Sequence, residues 1–316
     1  MSLLRRMGKA VRPGESRRRL PFGTAPVARR RLAISEGWAA ALFLLPSVSG
    51  FAVFFLVPFA AGFWYSLVDT PIGGTFVGLR NYEELLDNPA FLRAARNTLL
   101  FTGVSVPINM LLSLLLAMLL NRSVYLRQWL RIGFLAPLVI PVASVVLVWQ
   151  VVFDLNGSLN GWLQAWGIAP KDWMESDMAF WVVVIVYLWK NVGYNMVIFL
   201  AGLQNIPAEY YEAASIDGAG ALRKWRTITL VYLAPTAFFV LIMSIINSFK
   251  VFRETYMIAG DYPQERIYML QHYMNNMFRS LDYQKLTSAA FLMVLVIVAL
   301  VFVLFVVERR LARSIG

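Results

Sequence analysis

Six stretches of this chain are each long and apolar enough to cross a lipid bilayer: roughly residues 38–66, 97–120, 131–153, 180–203, 230–249 and 287–308. A helical crossing takes about 20 apolar residues. Inside hydrocarbon every backbone N–H and C=O must be satisfied within the protein, so segments of this length cross as helices. The chain is therefore predicted to be an all-α integral membrane protein, a six-span helical bundle. Composition agrees, with 59% of residues hydrophobic and 15% charged, against about 45–50% and about 25% in soluble domains. Pro137 and Pro141 both fall in the third stretch and predict a kink there.

Charge orients the bundle. Nineteen of the 29 Lys and Arg residues lie in four places: the first 36 residues, the 121–131 link, the 204–229 link and the C-terminus. Nine flank the spans on the other side, together with twelve of the 18 acids. The positive-inside rule puts both termini and the 204–229 link in the cytoplasm. Residues 1–36 read as a basic cytoplasmic tail, either held near anionic lipid or acting as a plain orientation signal, and 37–316 as the transmembrane domain. The apolar run after the tail starts late for a cleaved signal peptide and has no convincing cleavage site. The net charge of +11 thus belongs to membrane topology rather than to nucleic-acid binding.

Several chemistries are excluded. There is no cysteine, hence no disulfide, iron–sulfur cluster, thiolate zinc site or cysteine nucleophile. His272 is the single histidine, too few for a metal site or a proton relay. No phosphate loop of the form G-x-x-x-x-G-K-[ST] occurs, since Gly8-Lys9 is followed by alanine. No H-E-x-x-H or G-x-S-x-G pattern points to an intramembrane enzyme.

On the outer side, residues 69–96 predict a short surface helix before the second span. Ile267, Leu270, Met274, Met277, Phe278 and Leu281 recur at helical spacing and predict an amphipathic helix.

The 204–229 link is the most informative segment. Asn205-Ile206-Pro207 ends span four and restarts a helix, proline being favoured in a first helical turn. Glu209 and Glu212 suit that helix's N-terminal dipole. Ala213 and Ala214 offer a side-chain-poor surface, and Asp217-Gly218-Ala219-Gly220 forms a turn in which glycine permits positive φ. Arg223, Lys224 and Arg226 are expected to close a second short helix at its C-terminal end. On this reading the link is either a helix–turn–helix with a flat tip shaped to enter a groove on a partner, or a plain polar loop.

This arrangement resembles the EAA loop of ABC importer permeases: Glu-Ala-Ala, three residues, Gly, nine residues, then Ile-x-Leu-Pro. Glu212, Ala213, Ala214, Gly218, Ile228 and Leu230 match in register, whereas Val231 stands where proline is usual and the next proline is Pro235. The similarity covers about 270 residues and is greatest to carbohydrate-uptake permeases of the maltose and glycerol-phosphate type, through "FVGLRNYEELL", "NTLLFT", "IPAEYYEAASIDGA" and "SFKVF". Two blocks depart from that pattern: Arg253 replaces the usual acid after "VF", and Gly260-Asp261-Tyr262-Pro263 replaces Gly-Gly-Pro.

The resemblance implies the permease subunit of an ATP-driven importer in the bacterial inner membrane, a transport subunit and not an enzyme. Its partners would be a second permease, usually a different chain, two ABC ATPase subunits, an extracytoplasmic solute-binding protein, a sugar substrate and membrane lipid. The chain itself would hold no cofactor; ATP and Mg would be bound by the ATPase. Glu212, Ala213, Ala214, Asp217 and Gly218 would form the ATPase-docking surface.

For the substrate, span four offers Tyr187, Trp189, Lys190, Asn191, Tyr194 and Asn195, with Asn247, Ser244 and Ser248 from span five and Trp149 and Gln150 from span three. Aromatic rings can cover the apolar faces of a sugar while amides bond its hydroxyls; the same groups also serve as interhelical glue. Lys190 within a span needs a counter-charge, either an acid of a partner subunit or a carboxylate on the substrate, as in a uronic-acid sugar. The rival class is a secondary transporter or channel. It would need no docking loop and usually carries intramembrane acids, whereas the spans bounded above hold none before Glu308.

Overall fold

A computed structural model describes residues 36–122 and 126–315. The predicted basic tail lies, apart from Glu36, outside the described residues. Among the described residues six stretches are long and apolar enough to cross a membrane: Ala40–Tyr65, Pro89–Asn121, Val142–Ala165, Ala179–Gln204, Ala221–Ala259 and Tyr283–Arg310.

The chain divides into two units, one ending at Leu56 and one beginning at Val57. In the first, helix α1 (Glu36–Phe51) runs into a π-helical turn, Ala52–Leu56, and Phe51 stacks on Phe55. Its apolar side chains, among them Leu42, Phe43 and Phe54, point outward. A helix apolar on all sides and left uncovered is suited to lipid.

The second unit begins with α2 (Val57–Tyr65), whose Phe59 and Phe63 rings pack on Phe291. Asn81 in α3 (Arg80–Leu86) donates to the carbonyls of Ser66 and Val68 and so ties down the connection. The long helix α4 (Pro89–Asn121) starts eight residues before the predicted span. The Asn88 side chain accepts from the N–H groups of Ala90 and Phe91, and Pro89 takes the first helical position. Hydropathy missed these turns because Arg93, Arg96 and Asn97 lower it. Their helix is nevertheless anchored by Phe91 and Ala94, which are buried beside Tyr273.

The third predicted span breaks where its prolines suggest. Helix α5 (Arg127–Val139) contains Pro137, the chain leaves helical geometry at Ile140–Pro141, and α6 (Val142–Phe153) follows. Helix α7 (Ser158–Ala165) is held against the 171–173 segment by Asn160. The Asn160 amide donates to the carbonyls of Asp154, Leu155 and Lys171, and its oxygen accepts from Lys171 N–H and Trp173 Nε1–H.

Helix α8 (Ala179–Gln204) is the centre of the bundle, packed on α4, α5 and α11 (Leu230–Phe249). At Gly193 any Cβ would run into the backbone of Phe134, so α5 and α8 meet main chain to main chain. Small residues allow this close approach where hydrophobic driving force is weak.

Between α8 and α11 lie α9 (Ala208–Ile216) and α10 (Ala221–Lys224). The expected second helix with cations at its C-terminal end does not stop there. From α10 the chain continues through a π-helical turn, Trp225–Thr229, into α11. No Gly or Pro stands between residues 221 and 234 to end it, so Arg223, Lys224 and Arg226 occupy the first turns of span five instead.

At its other end span five outruns its prediction. After a turn at Lys250–Val251 it resumes as α12 (Phe252–Ala259), and the apolar stretch reaches Ala259 rather than residue 249. Charged Lys250, Arg253 and Glu254 had ended the hydropathy signal early.

The outer helix predicted over 267–281 forms as α13 (Leu270–Arg279), with a different buried face. Leu270 and Tyr273 are buried with Met274 and Met277 packed beside them, Ile267 is buried apart from them with Phe180 and Val183, and Phe278 and Leu281 are exposed. A 3-10 turn at Glu265–Ile267 precedes the helix and breaks the register on which those residues were aligned. Thr98 Oγ1 accepts from Leu270 N–H at 2.9 Å, and Asn97 donates to the carbonyls of Glu265 and Tyr268. The departing Asp261 pairs with Arg279 of α13, which holds its carboxyl below the usual carboxylate range. His272 is fully buried, and its Nδ1 accepts from Met269 N–H. Burial pushes its pKa down to about 4, so it is neutral, as suits a packing residue. The final helix, α14 (Tyr283–Ile315), packs on α2, α3, α11 and α13.

Candidate functional site

The 204–229 link is a helix–turn–helix built on the bundle through one face of α9. Tyr211 and Ala214 pack with Leu203, Ile206, Ile228 and Leu233, and Tyr211 shares a hydrogen bond of 2.9 Å with Thr229. Gly218 has φ +75°, and Ala219 N–H donates to the Ala214 carbonyl at 2.8 Å, closing α9 in the manner of a glycine-terminated helix. A side chain at Gly218 would touch nothing, so glycine is needed there for its dihedral angle and not for space.

Of the five residues named for docking, Glu212, Ala213, Asp217 and Gly218 are exposed and share the tip, whereas Ala214 is half-buried toward the bundle. Two apolar residues that the sequence reading passed over join them: Ile216, 88% exposed, and Leu222, 63% exposed. An isoleucine beside the Asp217-Gly218 turn was the available signal. The tip therefore presents apolar side chains among exposed charges of both signs, Glu212, Asp217 and Arg223. Val231 lies within the continuous helix, and Pro235 inside α11 cannot donate to its carbonyl.

Deeper in the bundle a polar layer crosses three helices. On α4, Thr98, Thr102, Ser105, Asn109 and Ser113 recur every three or four residues and are all buried. Thr102 bonds Ser248 at 2.8 Å, and Ser113 donates to the Val192 carbonyl and to Asn109 Oδ1. Asn195 donates to Ser244 Oγ at 2.7 Å and Tyr187 to the Ser244 carbonyl at 2.9 Å. The α4 stripe was legible as a polar period within an apolar span, and was missed.

Beside this layer is a cavity of about 180 Å³ lined by Leu138, Tyr187, Lys190, Asn191, Asn247, Lys250, Val251, Arg253 and Glu254. It gathers four of the seven residues named for substrate: Tyr187, Lys190, Asn191 and Asn247. The other three are elsewhere. Asn195 is buried in the polar layer, Trp189 packs edge-on against Trp149, and Tyr194 does not line the cavity. Trp149 and Gln150 line a separate, larger cavity of about 660 Å³ with Asp154, Asp172 and Glu175.

Lys190 finds its counter-charge within the chain. Its ammonium pairs with Glu254 of α12, whose side chain is only 6% exposed. Lys190 stands eleven residues into α8, roughly 16 Å at 1.5 Å per residue, about half of a 30 Å hydrocarbon core. The expectation that the spans hold no acid before Glu308 is thus corrected: span five extends to Ala259 and carries Glu254 with it, and the third stretch, Val142–Ala165, includes Asp154. The acid usual after "VF" stands one residue later, behind Arg253. Among the described residues there is no cluster of acids or histidine that could hold a metal ion.

Residues 109–316 match the family described as "Binding-protein-dependent transport system inner membrane component". The chain is 34% identical over 241 residues to the arabinooligosaccharides transport system permease protein AraP of Bacillus subtilis (strain 168), covering 72% of this chain and 74% of that one. It is 31% identical over 238 residues to the trehalose/maltose transport system permease protein MalF of Thermococcus litoralis, covering 74% and 81%. In fold it is similar to a chain of a bacterial ABC transporter involved in the import of the acidic polysaccharide alginate, with a TM-score of 0.76 at 22% identity, over 86% of this chain and 96% of that one.

Proposed function

Because the chain belongs to the family of binding-protein-dependent transport system inner membrane components, we propose that it forms half of the translocation path of an ATP-driven sugar importer. As a permease it is a transport subunit and not an enzyme, a multi-pass protein of the inner membrane. The carbohydrate assignment is supported by relatives named for arabinooligosaccharides and for trehalose and maltose. In this reading both termini are cytoplasmic, a second permease chain completes the path, and a solute-binding protein delivers substrate from outside. Two ATPase subunits carry ATP and Mg, and this chain holds no cofactor.

The observation that carries the reading is the continuity of α10, the π-helical turn and α11. The tip at Glu212, Ala213, Asp217 and Gly218 sits at the end of a lever whose arm is span five. An ATPase that grips the tip and closes on ATP moves α11 as a body. Ser244 and Ser248 of α11 bond into the polar layer, and Glu254 just beyond bonds Lys190, so the displacement reaches the residues around the cavity. Alternating access by rigid-body motion follows. Ala214 serves the fit from beneath by seating α9 on the bundle. Tyr187, Lys190, Asn191 and Asn247 are proposed to meet the sugar at the cavity, Trp189 and Tyr194 to border its path, and Asn195 to hold the helices around it.

The test is Gly218→Val in the assembled transporter. A β-branched residue is forced into positive φ, the tip deforms, and both ATPase co-purification and ATP-dependent uptake fall at least tenfold. Full retention of both would refute the coupling role. Purification of active transport with no ATPase bound would favour the secondary-transporter class instead.

A further inference from the structure

The cavity at mid-bundle carries more positive charge than the protein itself neutralises. Three cations line it, Lys190, Lys250 and Arg253, against one carboxylate, Glu254. That carboxylate is committed to Lys190, and both groups are largely buried. Among the described residues neither Lys250 nor Arg253 has an ion-pair partner, and both are exposed at the cavity. Their position follows from Glu254. The Glu254 carboxylate meets the Lys190 ammonium, and Lys250 and Arg253 lie within about one helical turn of Glu254 along the chain. Two cations with no acid to pair with are costly within an apolar stretch unless water or an anion meets them, and ionisable groups in spans mark substrate paths.

The neighbours suit a sugar acid. Asn191, Asn247 and Tyr187 line the cavity together with the cations. The Asn191 amide nitrogen donates to the Tyr187 carbonyl, which leaves its oxygen available to accept from a hydroxyl. The acids Asp154, Asp172 and Glu175 line the other cavity and none lines this one.

We propose that this cavity is an anion subsite: Lys250 and Arg253 bind the acidic group of a saccharide in transit while Glu254, by neutralising Lys190, keeps that group on the other two cations. The proposal rests on the sugar-importer reading and narrows its substrate to saccharides bearing a carboxylate or a phosphate. A guanidinium beside an ammonium takes either, with the bidentate geometry of arginine favouring both.

The experiment uses the complete transporter with its binding protein in proteoliposomes. Labelled saccharides are supplied in matched pairs: uronate oligosaccharides with their carboxyl-reduced derivatives, and hexose phosphates with the free hexoses. ATP-dependent uptake is expected for a charged member at ten times or more the rate of its neutral partner. The variant K250Q/R253Q is expected to lose at least tenfold of that uptake, and K250R/R253K to restore most of it. Because both residues are exposed, the single variants K250Q and R253Q keep the test available if the double variant assembles poorly. Uptake of a neutral saccharide equal to that of its charged partner, or full anionic uptake by K250Q/R253Q, overturns the proposal while the importer reading stands. Loss of the second permease from the K250Q and R253Q complexes would assign these cations to the subunit interface and also overturn it. Absence of uptake for every saccharide would overturn the sugar-importer reading itself.

Discussion

The tip of the 204–229 link and the mid-bundle cavity are both made of a few polar residues on apolar helices, yet they are specified in different ways. The tip is contiguous: Glu212 to Gly218 is one helix end and one turn, and its shape follows from a glycine at positive φ. The cavity is assembled from α5, α8, α11 and α12, and its ion pair joins residues 64 apart in the chain. A local device tolerates change around it and fails when its one special dihedral fails. An assembled device fails whenever any member leaves a charge behind.

The sharpest way to break this contrast is at Glu254. Replacing it with Met leaves Lys190 largely buried without its partner, and breaking a buried pair in this way costs about 3–5 kcal/mol. The thermal midpoint of the solubilised complex should drop accordingly. Adding Lys190→Met should recover most of the loss, because a matched apolar pair of similar volume is nearly neutral. If the single and double variants were equally unstable, the pair would not be what holds α12 to α8.

A second effect is expected at His272, on the outer side. Its folded pKa near 4 lies below the ordinary value of 6.5, so the unfolded chain takes up the proton first. Stability is therefore complete above pH 6.5 and is lost as the pH falls toward 4, by up to about 3 kcal/mol at 1.36 kcal/mol per unit. His272→Gln should flatten the pH dependence of thermal unfolding in that window. An unchanged slope would place the protonating group elsewhere.

The smallest effect is expected at the tip. Gly218→Ala places a Cβ in the left-handed region, worth about 1–2 kcal/mol locally, but into open space. Global unfolding should barely move, while affinity for the ATPase falls severalfold, less than with Gly218→Val. Equal losses for alanine and valine would mean that contact at the tip matters more than its backbone shape.

Much of the fold was legible because membrane helices announce themselves over many consecutive residues. All six apolar stretches, the break near Pro141 and the turn at Gly218 were readable in that way. The boundaries were less so: Pro89 opens span two before hydropathy rises, and Lys250, Arg253 and Glu254 conceal the continuation of span five. Of the residues named for substrate, Lys190, Asn191, Asn247 and Tyr187, which line the cavity, were picked out by spacing and polarity. Lys250, Arg253 and Glu254 were not, because charges beside an apolar run look like its end.

The sequence by itself determined that the chain is a helical membrane bundle with a side-chain-poor tip between spans four and five. Those properties are sums over neighbouring residues, which hydropathy and turn chemistry report directly. Only the tertiary structure decided that Lys190 answers to Glu254, that Gly193 lets α5 touch α8, and that two cations share a cavity with no acid to spare. Charge neutralisation and close packing are relations between points in space, and folding alone brings those points together.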